Sequence, residues 1–147
     1  MTERLVVVGG DAAGMSAASQ ARRRRPPEQL EIIAFERGRY TSYSACGIPY
    51  YIGGVVDDVA RLITRSPEAH RARDIDVRLE HEVIGIDLDA RTVRVRHEET
   101  EHDEPFDHLM IGTGATPVRP PLEGIDADGI FGVQTLTDGI AVRSYVD

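Results

Sequence analysis

The sequence predicts an α/β fold with a parallel sheet and an added antiparallel meander. Three observations predict it. Two short apolar runs, Arg4–Val8 and Leu30–Phe35, flank a segment of helical character within about 36 residues. The first run ends directly on glycine, in "VVVGGDAAG". Further on, several segments alternate apolar and polar residues at the strand period. A strand–helix–strand unit this short requires its two strands to lie parallel.

The elements follow in order. Arg4–Val8 reads as a buried strand. Ala12–Arg25 carries small residues and then a run of arginines, and Pro26 and Pro27 stop it as a helix. Leu30–Phe35 is the second apolar strand. Pro67–Arg73 reads as a short helix capped by Ser66. Asp76–Leu79, Val83–Leu88 and Thr92–Val95 alternate, and the turn "DLDART" joins the last two, so an antiparallel hairpin or meander is expected here. Leu109–Ile111 is again an apolar strand and runs into a second glycine turn. Three strands thus suit a parallel core. A last helix is expected to begin at Thr137 or Asp138, and an element cut so short leads us to expect a fold incomplete at the C-terminus. There is no internal repeat and no low-complexity linker.

Length and composition bound the function. A chain of 147 residues makes one ordinary domain, with 41 % apolar and 29 % charged residues, a balance that favours a soluble globular protein. No apolar run is long enough to span a bilayer, and "MTERLVVVGG" leads straight into a strand, so neither membrane insertion nor a signal peptide is expected. The single cysteine cannot form an internal disulfide, which points to a reducing, cytoplasmic setting. A net charge of −8 argues against nucleic acid as a partner. No metal site is expected: His97, His102 and His108 match no ligand spacing and read as a solvated hairpin tip, and "VVDDV" lacks calcium-loop spacing.

In "VVVGGDAAGMSAASQ", Gly9 permits a tight turn and Gly14 lets the following helix approach the strand. The helix N-terminus would offer N–H groups and partial positive charge to a pyrophosphate. Asp11 departs from the usual G-x-G-x-x-G by replacing its middle glycine, and must point away from a phosphate, for instance by bonding N–H groups of the helix it opens. Glu36 ends the second strand about 22 residues beyond Gly14, close to the spacing at which an acid bonds ribose hydroxyls. Turn, parallel unit and acid together indicate an adenine dinucleotide, without saying which one.

The stretch "TSYSACGIPYYIGG" holds Cys46 between small residues. A lone cysteine is either a small buried hydrophobe or a reactive thiol. With no second cysteine, a reactive Cys46 has to work alone, through a mixed disulfide with a small thiol or a sulfenic acid. Should this stretch open a helix, its dipole favours the thiolate. Tyr50 and Tyr51 are expected to pack.

Four segments, "VVVGGDAAGMSAASQARR", "FERGRYTSYSACGIPYYIGG", "HEVIGIDLDARTVRV" and "LMIGTGATPVRPPLEGID", in that order, resemble the N-terminal part of the FAD-dependent pyridine nucleotide–disulfide oxidoreductases. The similarity is to the single-cysteine branch of coenzyme A–disulfide reductases, NADH oxidases and persulfide reductases, and covers nearly the whole chain. It implies a Rossmann-like FAD-binding fold. Residues 1–147 would be the N-terminal part of the FAD domain, with the NAD(P)H-binding and dimerisation domains absent from this chain and the fragment alone inactive. By resemblance, Gly9, Gly10, Asp11, Ala12, Ala13 and Gly14 cradle the FAD pyrophosphate, and Glu36 binds the adenosine ribose. Arg37 flanks the adenosine, Val83 meets the adenine, Ser44 is among the cofactor-binding residues, and Thr113, Gly114 and Ala115 close over the cofactor. Cys46 is then the catalytic thiol, receiving electrons from NAD(P)H by way of FAD. Ser16, Gln20, Arg23 and Ser42 would bind a coenzyme A-type disulfide, Arg23 by bidentate contact with phosphate. Basic residues at a helix C-terminus also complement its dipole without any ligand. Two departures matter within the branch. Ala12 stands where the oxygen-reducing members carry a histidine, and Ala45 where the reductases often have asparagine. The alternatives are a water-forming NADH oxidase or persulfide reductase and, in another class, a non-catalytic nucleotide-binding module. A homodimer is implied for the full-length protein, and the open sheet edges of this chain could pair or swap.

Overall fold

Four parallel strands lie in the order β3-β2-β1-β7, where β1 is Glu3–Val8, β2 Leu30–Glu36, β3 Asp76–Leu79 and β7 His108–Ile111. Three antiparallel strands, β4 (Glu82–Asp87), β5 (Thr92–His97) and β6 (Thr100–Pro105), form a second sheet. Helix α1 spans Ala12–Arg24, α2 Ile48–Ile52, α3 Pro67–Arg71 and α4 Leu136–Val146. The computed structural model describes residues 2–147. The chain divides into two units: residues up to Ser42 with Arg65–Gly114, and Tyr43–Thr64 with Ala115–Asp147.

Both sheets and helices α1 and α3 belong to the first unit. Successive strand residues face opposite ways, so an uninterrupted apolar run fills two cores at once. Val7, Ile32, Ala34 and Val77 join Met15 and Ala18 of α1 in one. Val6, Val8, Ile33 and Phe35 join Val93, Val95 and Phe106 in the other. The parallel sheet is therefore the middle layer, between α1 and the meander. Glu104 of β6, only 12 % exposed at its side chain, ties the meander to that sheet by ion pairs to Arg4 (2.6 Å) and Arg78 (3.4 Å).

Three sequence expectations need correction. Asp76–Leu79 is not part of the meander but the fourth parallel strand, in register with Ile33–Glu36. Its Val77 is fully buried while its neighbours pair at the edge in Asp76–Arg78 and Arg78–Glu104 bridges, so charge at alternate positions imitated a half-exposed antiparallel strand. The meander's third strand is instead β6, in the acidic stretch read as a hairpin tip. Every residue of β6 except Glu104 is exposed, and it is held by backbone pairing and by Arg94–Asp103 and Arg96–Glu101 bridges. No apolar period marks such a strand. The last helix begins at Leu136, because Thr135 and Asp138 form a reciprocal capping box.

Among the described residues of the first unit, Thr41 and His70 are the buried polar ones, each 1 % exposed. His70 sits on α3, which Ser66 caps by accepting from Ala69 N–H at 3.2 Å. Burial, with the cationic Arg65 and Arg73 nearby, lowers the His70 pKa to about 4. The unfolded chain therefore takes up this proton first. His70 contributes its stability in full above pH 6.5, and that contribution falls as pH drops towards 4. Between pH 7 and pH 5 the loss is expected to be roughly 2 kcal/mol. Urea unfolding at both pH values should show this loss in the native protein and a loss smaller by that amount in His70→Gln; equal losses in both would contradict the assignment.

Candidate functional site

The first unit assembles the turn between β1 and α1 from backbone alone. Gly9 has φ +101°, a conformation side chains avoid, and a Cβ there would collide with the carbonyl of Gly112. A Cβ on Gly14 would collide with the Gly9 carbonyl, and one on Gly10 would sit 2.6 Å from the Glu36 Cβ. Gly9 N–H donates to Phe35 C=O (2.9 Å) and Gly112 N–H to Val8 C=O (2.7 Å), joining the ends of β1, β2 and β7. Glu36 accepts from Gly10 N–H at Oε2 and from Gly38 N–H at Oε1, both at 2.7 Å. The Thr41 hydroxyl donates to the Gly10 carbonyl. Asp11 is the N-cap residue in an extended conformation, but its side chain does not bond the helix, contrary to the sequence expectation. The first-turn amides of the 13-residue α1 thus have no side-chain cap from Asp11, which suits an anion. Ala12 and Ala13 are exposed on this turn.

The other candidates of this unit lie at element ends and on one helix face. Arg37 is exposed just past β2, and Val83 is half-buried at a register shift in β4, packed on the meander-side core. Thr113 and Gly114 are exposed beyond β7. Ser16, Gln20 and Arg23 are all exposed at helical spacing along α1. Arg23 donates to Gln20 Oε1 from Nη2 (2.7 Å) and Nε (3.1 Å), so its guanidinium is already oriented. The arginine run is not uniform. Arg22 donates to the carbonyls of Arg25 (3.0 Å), Leu30 (2.6 Å) and Asp74 (2.9 Å), and Arg25 pairs with Glu3. Those two hold the fold; Arg23 is left to the surface. Ser42 has φ +50°, and its hydroxyl lies 2.9 Å from His70 Nε2.

The second unit carries Cys46, which is exposed and so is not a core filler. It lies in a 3₁₀ turn, Ala45–Gly47, that leads into the five-residue α2. The expected helix is therefore present only as one turn and a fraction. Close packing fixes this turn from both sides. A Cβ on Gly47 would collide with the Leu62 side chain, and one on Gly139 of α4 would lie 2.6 Å from Ile48. Ser44 N–H donates to Leu62 C=O at 2.8 Å, and Tyr43 pairs with Ile63 as an antiparallel bridge. Arg143 donates to the Tyr51 carbonyl at 2.6 Å and stacks over its ring at 5.5 Å. Tyr50, expected to pack, is 59 % exposed. The Ala115 carbonyl accepts from the Gln134 side chain.

Sequence reading missed His70, Gly139 and Arg143. Glycine inside "TLTDGIAVRSYV" was a usable signal, because a mid-helix glycine usually marks close approach. His70 carried none. Among the described residues, no group of three or more histidine, cysteine or acidic side chains could hold a metal, and no helix is long and apolar enough to cross a membrane.

Comparison with known proteins places this arrangement. The family model for pyridine nucleotide-disulphide oxidoreductases matches residues 3–145. The NAD(P)H sulfur oxidoreductase (CoA-dependent) of Pyrococcus abyssi is 37 % identical over 97 % of this chain and 31 % of its own length. The NADH oxidase of Methanocaldococcus jannaschii is 35 % identical over 98 % of this chain and 32 % of its own. The crystal structure of reduced Bacillus anthracis CoADR-RHD superposes with a TM-score of 0.94 at 34 % identity, covering all of this chain and 27 % of that one. The chain thus spans about a third of the length of the curated relatives it matches. It belongs to the pyridine nucleotide–disulphide oxidoreductase family.

Proposed function

We propose that this chain is the N-terminal part of the FAD-binding domain of a coenzyme A–disulfide reductase, in which Cys46 exchanges with the disulfide. The NAD(P)H-binding and dimerisation domains, in this reading, lie in other parts of a longer protein. The observation that carries the substrate class is the exposed face of α1. It aligns Ser16, Gln20 and an Arg23 whose guanidinium Gln20 already orients, as a phosphate-rich disulfide requires.

The family uses FAD, and the residues present fit it. A turn without side chains, α1 amides not capped by the Asp11 side chain and a carboxylate at the β2 end are the donors and acceptor that a dinucleotide needs. Gly9, Gly10, Asp11, Ala12, Ala13 and Gly14 would hold the pyrophosphate through backbone. Glu36 has lone pairs beyond its two amide bonds for the ribose, and Arg37, Ser44, Val83, Thr113, Gly114 and Ala115 would complete the cradle. When bound, FAD supplies the two-electron relay from NAD(P)H that returns Cys46 to its thiol form.

The chain's own step is an exchange. The Cys46 thiolate attacks one sulfur of coenzyme A disulfide. A Cys46–sulfur bond forms, the substrate's sulfur–sulfur bond breaks, and one coenzyme A leaves as thiolate. Electrons balance without an external reductant. Exposure of Cys46 permits the attack, and Ser16, Gln20, Arg23 and Ser42 would bind the coenzyme A. Ala12, at the position matched to the histidine of oxygen-reducing members, favours the disulfide over oxygen as acceptor.

Incubating the reduced protein with coenzyme A disulfide is expected to add one coenzyme A by intact mass, reversed by dithiothreitol and absent in Cys46→Ser. Arg23→Ala should slow the addition about tenfold, the worth of one charge-assisted contact. No adduct, or one insensitive to Arg23, would refute the substrate assignment. FAD binding is followed separately by quenching of flavin fluorescence. Glu36→Ala is expected to weaken it at least tenfold, and an unchanged affinity would remove Glu36 from the cofactor site.

A further inference from the structure

The hydrogen-bond inventory around His70 defines a role for it. Its Nε2 lies 2.9 Å from Ser42 Oγ, while its Nδ1 is buried with no partner among the described residues. The Gly10 carbonyl only accepts, so the one proton of the Thr41 hydroxyl is committed to it. Thr41 Oγ1 also lies 3.4 Å from Ser42 Oγ. A buried Nδ1 without a partner puts the ring proton on Nε2, so Ser42 Oγ accepts from His70. The opposite tautomer would bury an N–H with no acceptor, the costlier alternative.

Ser42 is also the last residue before the chain leaves the first unit for the segment that carries Cys46. The segment returns at Arg65, whose N–H donates to the Ser42 carbonyl at 3.3 Å. Ser42 adopts a left-handed backbone at φ +50°, so bonds from its neighbours must hold it there.

We infer that His70 is a positioning residue: its Nε2–H holds the Ser42 oxygen and turns the Ser42 hydroxyl into a hydrogen-bond donor. The inference rests on the proposed reading of Ser42 as a coenzyme A contact, and it specifies what Ser42 offers that substrate. The Ser42 proton then points away from the imidazole, and a phosphate oxygen of coenzyme A is a strong acceptor for it. The histidine does not touch substrate and does not titrate in the step. It fixes the direction of one proton.

Two measurements test this. Ring ¹⁵N chemical shifts of His70 at pH 7 are expected to show a protonated Nε2 and a bare Nδ1. A proton on Nδ1, or fast exchange between the two, overturns the inference. The second measurement is the rate at which coenzyme A disulfide adds to Cys46, with 2-hydroxyethyl disulfide as a reference that carries no phosphate. His70→Leu should lower the coenzyme A rate about tenfold, the worth of one oriented hydrogen bond. His70→Gln, whose amide N–H can take the place of Nε2–H, should restore most of it. Ser42→Ala should match His70→Leu, and the double variant should lose no more than either. The reference rate should stay constant throughout. Equal losses with both disulfides would mark a purely structural role and overturn the inference, as would a Leu variant as fast as native. Absence of any adduct in the native protein would fail the substrate reading alone; the ring shifts would then decide whether His70 orients Ser42.

Discussion

The meeting of three chain ends without side chains is the constraint on which the rest depends. β1, β2 and β7 terminate together, and the turn into α1 must pass between them. Gly9 and Gly14 leave no room for a Cβ, because the nearest atoms are backbone carbonyls that cannot rotate away, and Gly112 packs tightly on the Gly14 amide. Gly10 is equally tight against Glu36, and the same approach lets the Glu36 carboxylate reach the Gly10 amide. Packing and chemistry are therefore one feature here. A side chain at Gly10 would press on the Glu36 side chain whose carboxylate holds the turn.

A different device governs the reactive thiol. Cys46 needs exposure, yet an exposed turn is ordinarily mobile. The second unit resolves this by pinning the turn's flanks rather than the cysteine itself. Gly47 admits Leu62, Gly139 admits Ile48, and Arg143 holds the Tyr51 carbonyl. Ile48 is buried two residues from an exposed sulfur. The long-range partners come from α4, nearly a hundred residues away, where a mid-helix glycine provides the space.

The parallel core and the glycine turn were legible because each rests on local patterns. Apolar runs ending in glycine, prolines after a helix and a capping serine all act within a few residues. What sequence reading misplaced was decided by pairing partners. β3 looked like a meander strand because Asp76 and Arg78 alternate with Val77, although the strand pairs in parallel with β2 and reaches the meander through the Arg78–Glu104 bridge. β6 carried no period at all, since backbone pairing to β5 and cross-strand Arg–acid pairs suffice to hold it. The arginine run shows the same limit at the scale of single residues. Arg22 and Arg25 serve the fold and Arg23 faces solvent, a division that only the positions of carbonyls and Glu3 reveal.

Buried polar groups are the hardest to foresee, and here they connect distant parts of the first unit. A bonded series runs from the Gly10 carbonyl through Thr41 and Ser42 to His70, four residues from three separate stretches of chain. No motif encodes it, because each member alone is an ordinary loop or helix residue. Its logic lies at His70: a buried Nδ1 without a partner puts the ring proton on Nε2, and the Ser42 oxygen accepts it. A nonpolar residue in place of His70 would remove the N–H donor that the Ser42 oxygen faces. The histidine, with its proton uptake held down to about pH 4, keeps that donor across the neutral range.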